Sequence, residues 1–546
     1  MNGFRQCLEK EFNSIYLFNL RGNQRTIGEL SRKEGGKIFG SGSRAPVAIT
    51  LLVKKPKKNN QKVTIFYRDI GDYLSRDEKL SIVKKLGSAQ DPEMNWKILT
   101  PNNASDWINQ RNAAFDMNIP IAPEKKFDSK SKSFFTTYSL GANTSRDVWA
   151  YNSSINKLAE NMTLTINFYN EQVTLCQNLL KKSHSLDFNQ IKGNNPRKIK
   201  WASGSEYNVL RGNKATFSKS NIVISHYRPY CLQSLYYDKL FIERLYQIPK
   251  LFPNPELKNM VICVSGIGVN KEFSCLMTDE IPDRQILANA QCFPLYYYEE
   301  KEGAREATSS QTRILNEERL PKPKFLKKDG ISDYILGRVR GEYRNPDVTK
   351  EDIFYYVYGI LHNADYRKTF SNDLKKMLPR IPLVDNMADF RSFCEAGRKL
   401  ADLHLGYEIQ PPYSDTKVTG TESKYFRVTK MKFLEKNKKD KIVYNSKITV
   451  SEIPERAYQY VVNGRSAIEW IMDQYQISND ADSGITNDPN DWATEAGNPR
   501  YILDLLLSVI NLSVQTVDIV EGLPKLRFEA PTKLEENSEE TNKLFF

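Results

Sequence analysis

The hydrophobic pattern changes period several times along the chain. After a helical GFRQCLEKEF, a strand reads IYLFNL (15–20) at once. Two more strands follow, VAITLLV (47–53) and VTIFYRDI (63–70), beyond a long Gly/Arg/Lys loop from Arg21 to Arg44. VAITLLV is apolar almost throughout, the pattern of a strand covered on both faces, so it is expected to be central. Residues 75–87 (SRDEKLSIVKKLG) predict a short amphipathic helix between Ser75 and Gly87. From about 95 to 345 the pattern is mixed, with short aromatic strands, Asn-rich turns and two helical stretches near 154–182 and 283–290. Pro, Asn and Lys thicken over 301–330, the composition of an exposed linker.

A second region opens at Asn345. Thr349 with Asp352 three residues on makes a capping box, and Ile353, Val357 and Ile360 keep helical spacing after it. The run YVYGILHNADYRKTFSNDLKKMLPRIPL (356–383) continues that helix to a joint at His362 and Asn363. It then predicts a second helix with a stripe of Tyr366, Phe370, Leu374 and Met377, stopped by Pro379. YFRVTKMKFL (425–434) and IVYNSKITV (442–450) flank a basic turn as a hairpin. Helices around 454–475 and 500–520 close the region, the latter with apolar residues at Ile502, Leu505, Val509 and Leu512. Residues 531–546 are polar and expected to form a disordered tail.

Charge adds a direction to this picture. The 546 residues carry 79 Lys+Arg against 66 Asp+Glu, a net +13, enough to attract a polyanion. The excess is uneven: residues 1–70 are +9 and residues 181–230 are +8. Seven cysteines are scattered with no CxxC pair, and the four histidines are dispersed, so zinc and disulfide frameworks are not expected. No continuous apolar run approaches the roughly 20 residues of a membrane span, and the N-terminus has no signal-peptide h-region. The expectation is a cytoplasmic protein with no membrane partner.

Three patterns imitate catalytic motifs. EGGKIFGSG (34–42) has the glycines of a P-loop, but Ile38 stands where a hydroxyl should hold the metal. IQPPYSD (409–415) approaches an amino-methyltransferase motif, but Gln410 replaces the usual Asn, Asp or Ser and a helix precedes it. Asp283 with Glu299 and Lys301 has the spacing of a Mg²⁺-dependent nuclease, although Asp283 sits in an apparent helix and a solvated charge cluster is the simpler reading. Two other stretches, TSRDVWAYN (144–152) and SHYRPYCLQSLYYDKLFIERLYQIPK (225–250), interleave Arg, Asn, Gln and Tyr. Arg forks onto guanine, Asn and Gln onto adenine, and aromatic hydroxyls reach phosphates, so both are candidate DNA contacts. A Tyr-rich core with snorkelling arginines is the alternative.

Taken in order, these blocks resemble one family. FNLRGNQRTIGELSRKEGGKIFGSGSRAPVAITLLVK is similar to the segment after the catalytic motifs of the adenine methyltransferase in type ISP restriction-modification enzymes. TSRDVWAYN, SHYRPYCLQSLYYDK, ISDYILGRVRGEYRNPDVTKEDIFYYVYGILHNADYRKTF, LPRIP, AGRKLADLHLGYE, VNGRSAIEWIMDQY and NDPNDW resemble successive blocks of that family's target-recognition region. The resemblance implies the rear part of a Rossmann-like α/β methyltransferase sheet (1–110). A mixed α+β target-recognition domain follows (111–345), then its helical and hairpin C-terminal part (346–530). It implies sequence-specific recognition of double-stranded DNA that directs N6-adenine methylation and, in the full polypeptide, ATP-dependent translocation and cleavage in phage defence. S-adenosylmethionine is implied for the full enzyme, and ATP and Mg²⁺ for its N-terminal domains. The motifs for all three are missing here, so the chain alone is expected to be inactive, a fragment whose partner is a separately encoded upstream half. Phe39 takes the place of a base-stacking aromatic, with a core role as the alternative. Arg21, Asn23, Arg44, Arg146, Asn152, Tyr227, Arg228, Gln233, Tyr236 and Tyr237 are the DNA-binding candidates.

Overall fold

The chain opens on a small sheet flanked by helices. The computed structural model describes residues 2–528, apart from positions 27, 41, 56–61, 124–130, 182–186, 301–324 and 436–437. Helix α1 (Asn2–Glu11) leads into β1 (Ser14–Arg21), which pairs antiparallel with β2 (Val47–Val53) and parallel with β3 (Thr64–Asp69). Helix α2 (Arg76–Leu86) begins at Ser75, whose hydroxyl accepts from the Glu78 N–H while Glu78 reaches back to the Ser75 N–H at 2.7 Å. Strand β4 (Lys97–Leu99) completes the order β2-β1-β3-β4. Strand β2 is therefore at the edge, not in the centre as its composition predicts. Ile49, Leu51, Leu52 and Val53 stand exposed on it. An apolar run reports that a strand suits cover on both faces, and says nothing of its order in the sheet. In the Gly-rich loop before β2, the buried Lys79 ammonium holds the carbonyls of Glu34 and Gly36, so that backbone offers no amide cradle for a phosphate.

The middle of the chain builds two four-stranded sheets. Strands β5 (Ser139–Leu140), β6 (Tyr151–Asn152), β7 (Ile222–Arg228), β8 (Cys231–Tyr236), β9 (Val261–Val264), β10 (Cys275–Thr278), β11 (Ile281–Pro282) and β12 (Gln291–Pro294) arrange as β10-β9-β12-β5 and β11-β7-β8-β6. Strands β9 and β10 are buried at every position, which marks a sheet covered on both faces. Helix α3 (Ile155–Leu180), capped by Ser154, matches the predicted stretch and buries Leu158, Met162, Ile166, Tyr169 and Val173 against Val209, Tyr236 and Phe241. The helix predicted over 283–290 does not form. After β11 the chain turns, Asp283 accepts from the Gln285 N–H at 2.7 Å, and Ala288 and Asn289 adopt positive φ, which no right-handed helix contains. Strands β13 (Tyr296–Glu300) and β14 (Phe325–Asp329) form a separate ribbon.

The C-terminal part is built on two helices in close contact, α4 (Lys350–His362) and α5 (Met387–Leu405). Thr349 and Asp352 form the predicted capping box of α4. Beyond Asn363 the predicted second helix is broken into Ala364–Thr369 and Ser371–Leu374, with Phe370 outside helical geometry between them. Tyr366, Phe370 and Leu374 are buried as predicted, and the Asp373 carboxylate bonds the distant Asn112 N–H at 3.1 Å instead of capping its own helix. The hairpin expected over 425–450 appears within a four-stranded sheet, β15 (Lys417–Thr419), β16 (Lys432–Glu435), β17 (Lys438–Val443) and β18 (Thr449–Ser451), ordered β15-β18-β17-β16. Helix α6 (Ala467–Gln474), strands β19 (Ser478–Asn479) and β20 (Thr486–Asn487), and helix α7 (Tyr501–Glu521) complete the unit. Helix α7 is long and apolar enough to cross a membrane by composition, but 72% of its apolar window is buried inside the protein. The sequence reading passed over it because Asp504 and Asp518 interrupt the run. The tail at 531–546, and most of the linker read over 301–330, lie outside the described residues.

Two measurements test this packing. At the α4–α5 crossing, a Cβ on Gly397 would lie well inside contact distance of the Tyr355 carbonyl, and one on Gly359 would meet the Phe393 carbonyl. Gly397→Ala is therefore expected to destabilise the chain by roughly 1–3 kcal/mol in urea denaturation, despite the higher helix propensity of alanine. Burial also pushes His226 and His404 down to about 3, and His362 well below its usual value. The unfolded chain takes these protons near pH 6.5, whereas the folded chain resists them, so each histidine contributes stability that is lost as pH falls below about 6.5. His404, held between the Tyr358 hydroxyl at 2.5 Å and the Thr516 hydroxyl at 3.2 Å, is the clearest case. In His404→Gln, the slope of stability against pH between 4.5 and 6 is expected to be shallower by about 1.4 kcal/mol per pH unit.

Candidate nucleic-acid interface

The two Arg/Tyr/Asn/Gln stretches are far apart in sequence and adjacent in the fold. Strand β6, at the end of TSRDVWAYN, pairs antiparallel with β8, with Tyr151 opposite Leu235 and Asn152 opposite Ser234. Strands β7 and β8 form a tight hairpin across Pro229 and Tyr230, with a bulge at Tyr227 and positive φ at Tyr230. The bulge turns Arg228 inward. Its guanidinium donates to Asp147 at 2.9 Å and to Asp283 at 2.8 Å, and lies 3.7 Å from the centroid of the Tyr227 ring. Asp147 starts the short helical turn Asp147–Ala150 and also accepts from the Thr144 hydroxyl. Asp283 also accepts from the Tyr151 hydroxyl at 3.1 Å. Burial raises the Asp283 carboxyl to about 7, against the pull of Arg228, and the carboxylates hold the Arg228 guanidinium in its charged form.

A hairpin from the C-terminal part forms the opposite wall. Strands β19 and β20 are joined by a turn in which Asp480 accepts from the Ser483 N–H at 2.8 Å and its hydroxyl at 2.7 Å. The Asn152 amide donates to the Thr486 carbonyl at 3.1 Å, and the Ser153 N–H to Asn487 Oδ1 at 2.7 Å. The Ile155 N–H meets Glu495 at 2.9 Å. Between the walls lies a cavity of about 320 Å³, with Gln233, Gln474, Gln476, Asn479 and Asn487 among its lining residues. Asp147, Val148 and Asp480 also line a neighbouring cavity of about 750 Å³, which Arg146, Lys192, Lys200 and Trp201 border. The result is one cleft with an amide and carboxylate floor beside a cationic lip.

The predicted residues divide between surface and interior. Gln233 and Tyr227 line the smaller cavity, Gln233 at 6% exposure. Arg228 is committed to its two carboxylates, so a base contact would require it to leave both. Arg146 is 4% exposed, its guanidinium has no hydrogen-bond partner among the described residues, and burial lowers it to about 10. Asn152 is an interior anchor of the β19–β20 hairpin. Tyr236 is fully buried, its ring stacked on Phe217 and its hydroxyl accepting from the Ser218 N–H at 3.2 Å, which makes it core in this structure and not a surface contact. Tyr237 is half-buried with an unpartnered hydroxyl. In the N-terminal sheet, Arg21 pairs with Asp69 at 2.7 Å and with Asp72, and Asn23 accepts from the Arg25 N–H at 3.1 Å. Arg44 is exposed, and Phe39 is 58% exposed, which excludes its core reading.

The imitation motifs do not assemble. Asp283 follows β11, engaged with Arg228, whereas Glu299 sits on the β13–β14 ribbon opposite Leu326 and near Lys328. Lys301 lies outside the described residues, and no group of three His, Cys, Asp or Glu among the described residues is placed to hold a metal ion. The carboxylate pair on adjoining strands that a nuclease needs is therefore not made, and the Asp283/Glu299/Lys301 reading is corrected to a structural ion pair and a ribbon surface. The Gln410 amide donates to the Gly406 carbonyl at 2.9 Å and closes the end of α5, leaving no free carboxamide before Pro411-Pro412-Tyr413. What sequence reading missed is the QYQISND stretch (474–480), whose alternating carboxamides were taken for the end of a helix.

Residues 133–505 match the family model of the Type ISP C-terminal specificity domain. A comparison with curated proteins gives no match. Among solved structures, the chain is similar to a nuclease-deletion mutant of the Type ISP restriction-modification enzyme LlaGI in complex with a DNA substrate mimic, at 39% identity and a TM-score of 0.82, covering 97% of this chain and 45% of that one. It is similar to the ATP-dependent Type ISP enzyme LlaBIII bound to DNA, at 34% identity and a TM-score of 0.83, over 97% of this chain and 32% of that one. A DrdV–DNA complex matches at 26% identity and a TM-score of 0.78, over 96% and 49% of the two chains. The chain thus spans less than half the length of each of these proteins. With more than half of its residues in one continuous family match, it belongs to the Type ISP C-terminal specificity domain family.

Proposed function

We propose that this chain recognises a specific sequence in double-stranded DNA, as the specificity region of a Type ISP restriction-modification enzyme. The observation that carries the reading is the cleft, where two stretches of potential base-reading side chains and a third, amide-rich segment meet beside cationic residues. That the LlaGI, LlaBIII and DrdV structures hold DNA or a mimic of it supports the same partner. The basic segment 181–230 supplies phosphate contacts that set register, and side chains in the cleft supply base contacts. Recognition would direct N6-adenine methylation and, in a full-length polypeptide, ATP-dependent translocation and cleavage, a cytoplasmic defence against phage.

The N-terminal sheet is the rear part of a Rossmann-like adenine methyltransferase in this reading, with exposed Phe39 available to stack on an extruded base. The residues of this chain do not fit S-adenosylmethionine: no glycine-rich strand-turn occurs, and Gln410 is occupied at a helix end. ATP and Mg²⁺ likewise find no motif here. The open, apolar edge of β2 favours a second reading, methylation in trans after pairing with an upstream half.

Selection from a pool of randomised duplexes by the full chain is expected to enrich one short asymmetric sequence, bound about 10³-fold or more tighter than unrelated DNA. No enrichment would refute sequence recognition. Lys200→Ala is expected to weaken all sequences alike and to reduce the slope of log affinity against log salt by about one. Mixing the chain with a purified upstream half of a Type ISP enzyme is expected to give methyl transfer that neither shows alone. Failure to form a complex at micromolar concentration would exclude the trans reading while leaving recognition untouched.

A further inference from the structure

We propose that the floor of the smaller cavity reads the N6/N7 edge of an adenine through Gln476 and Asn479. The inference rests on the DNA-recognition reading and adds which base, and which groups, the cleft is built for.

The hydrogen-bonding capacity of the floor leads to this choice. Asp147 is occupied by Arg228 and Thr144, and Asp473 by Arg465 at 2.8 Å and by the Gln474 amide at 2.8 Å. Asp480 closes its own turn. Asn487 Oδ1 holds the Ser153 N–H. The Gln476 amide nitrogen donates to the Asp473 carbonyl at 2.9 Å, which leaves its oxygen as an acceptor. Asn479 Oδ1 accepts from the Thr486 hydroxyl at 2.6 Å, which leaves its nitrogen as a donor. The cavity therefore offers one donor and one acceptor from neighbouring positions of a single hairpin.

That pair has a definite complement. Adenine presents N7 as an acceptor beside N6–H₂ as a donor in the major groove, whereas guanine presents two acceptors and cytosine a lone donor. Guanine is read by a free arginine fork, and the arginine closest to the floor, Arg228, is held between two carboxylates. The carboxylates of Asp147, Asp473 and Asp480 repel phosphate and favour an amino edge, so the backbone must pass instead along the adjacent lip at Lys200. Arg228 accordingly acts as a positioning residue, fixing the floor without touching the base.

The test uses the full chain and the duplex it selects, with each adenine replaced in turn by purine, which lacks the 6-amino group. The wild-type chain is expected to lose roughly 5- to 150-fold in affinity at one adenine. Gln476→Ala and Asn479→Ala are expected to weaken the selected duplex by a similar factor, to lose nothing further on purine substitution there, and to bind unrelated duplexes unchanged. Gln476→Glu, which keeps the acceptor, should restore the discrimination. If both alanine variants still discriminate against purine like the wild type, the assignment is overturned. It is also overturned if they weaken unrelated duplexes equally, since that marks a structural or phosphate role. If the wild-type chain selects no sequence at all, the recognition reading itself fails, and this inference with it.

Discussion

The cleft depends on one buried cation. Arg228 joins three segments that share no sequence neighbourhood: its own hairpin, the helical turn at Asp147, 81 residues before it, and the turn at Asp283, 55 residues after it. A guanidinium in a buried setting is tolerated only when its charge and donors are met, and the two carboxylates do so from opposite sides. Because both carboxylates also bind neighbouring hydroxyls, those of Thr144 and Tyr151, the ion pair extends into a network that sets the floor of the cavity. Removing Arg228 would strand Asp147 and Asp283 together, so the residue is better understood as the frame of the site than as its reader.

The frame explains how charge is distributed around the cleft. A protein that binds DNA is expected to carry its cations where the backbone runs, and the basic segment 181–230 borders the larger cavity. The floor is instead neutral to acidic and rich in carboxamides, which suits base edges and disfavours phosphate. The division between lip and floor is the physical basis for separating affinity from specificity in this domain. Arg146, interior and unpartnered, does not yet have a place in that division.

Helices with strong period and caps were legible in the sequence. Thr349 and Asp352 fix the start of α4, Ser75 and Glu78 that of α2, and the long apolar stripe of α3 leaves no alternative. The misread elements failed for tertiary reasons. VAITLLV looks central because its pattern answers to what would cover it, and this chain leaves it at an edge. DRQILANA looks helical by composition, but Asp283 is pulled into the Arg228 network and the backbone turns behind it. Within the site, the sequence identifies Arg228 and Gln233 by residue type, yet not that one is paired and the other lines a cavity. The β19–β20 hairpin was invisible as part of the site, because its bond to Asn152 spans 334 residues and only the fold brings them together. The ordered resemblance to one family covered the whole domain where local motifs misled.

The central claim is that the 144–152, 225–237 and 474–487 segments form one DNA-reading surface. Hydrogen–deuterium exchange of the chain with and without its selected duplex tests it most directly. The account predicts slowed exchange in all three segments with the selected duplex and weaker protection with an unrelated one. Protection confined to the N-terminal sheet or to the β13–β14 ribbon, with the three segments unchanged, would contradict it.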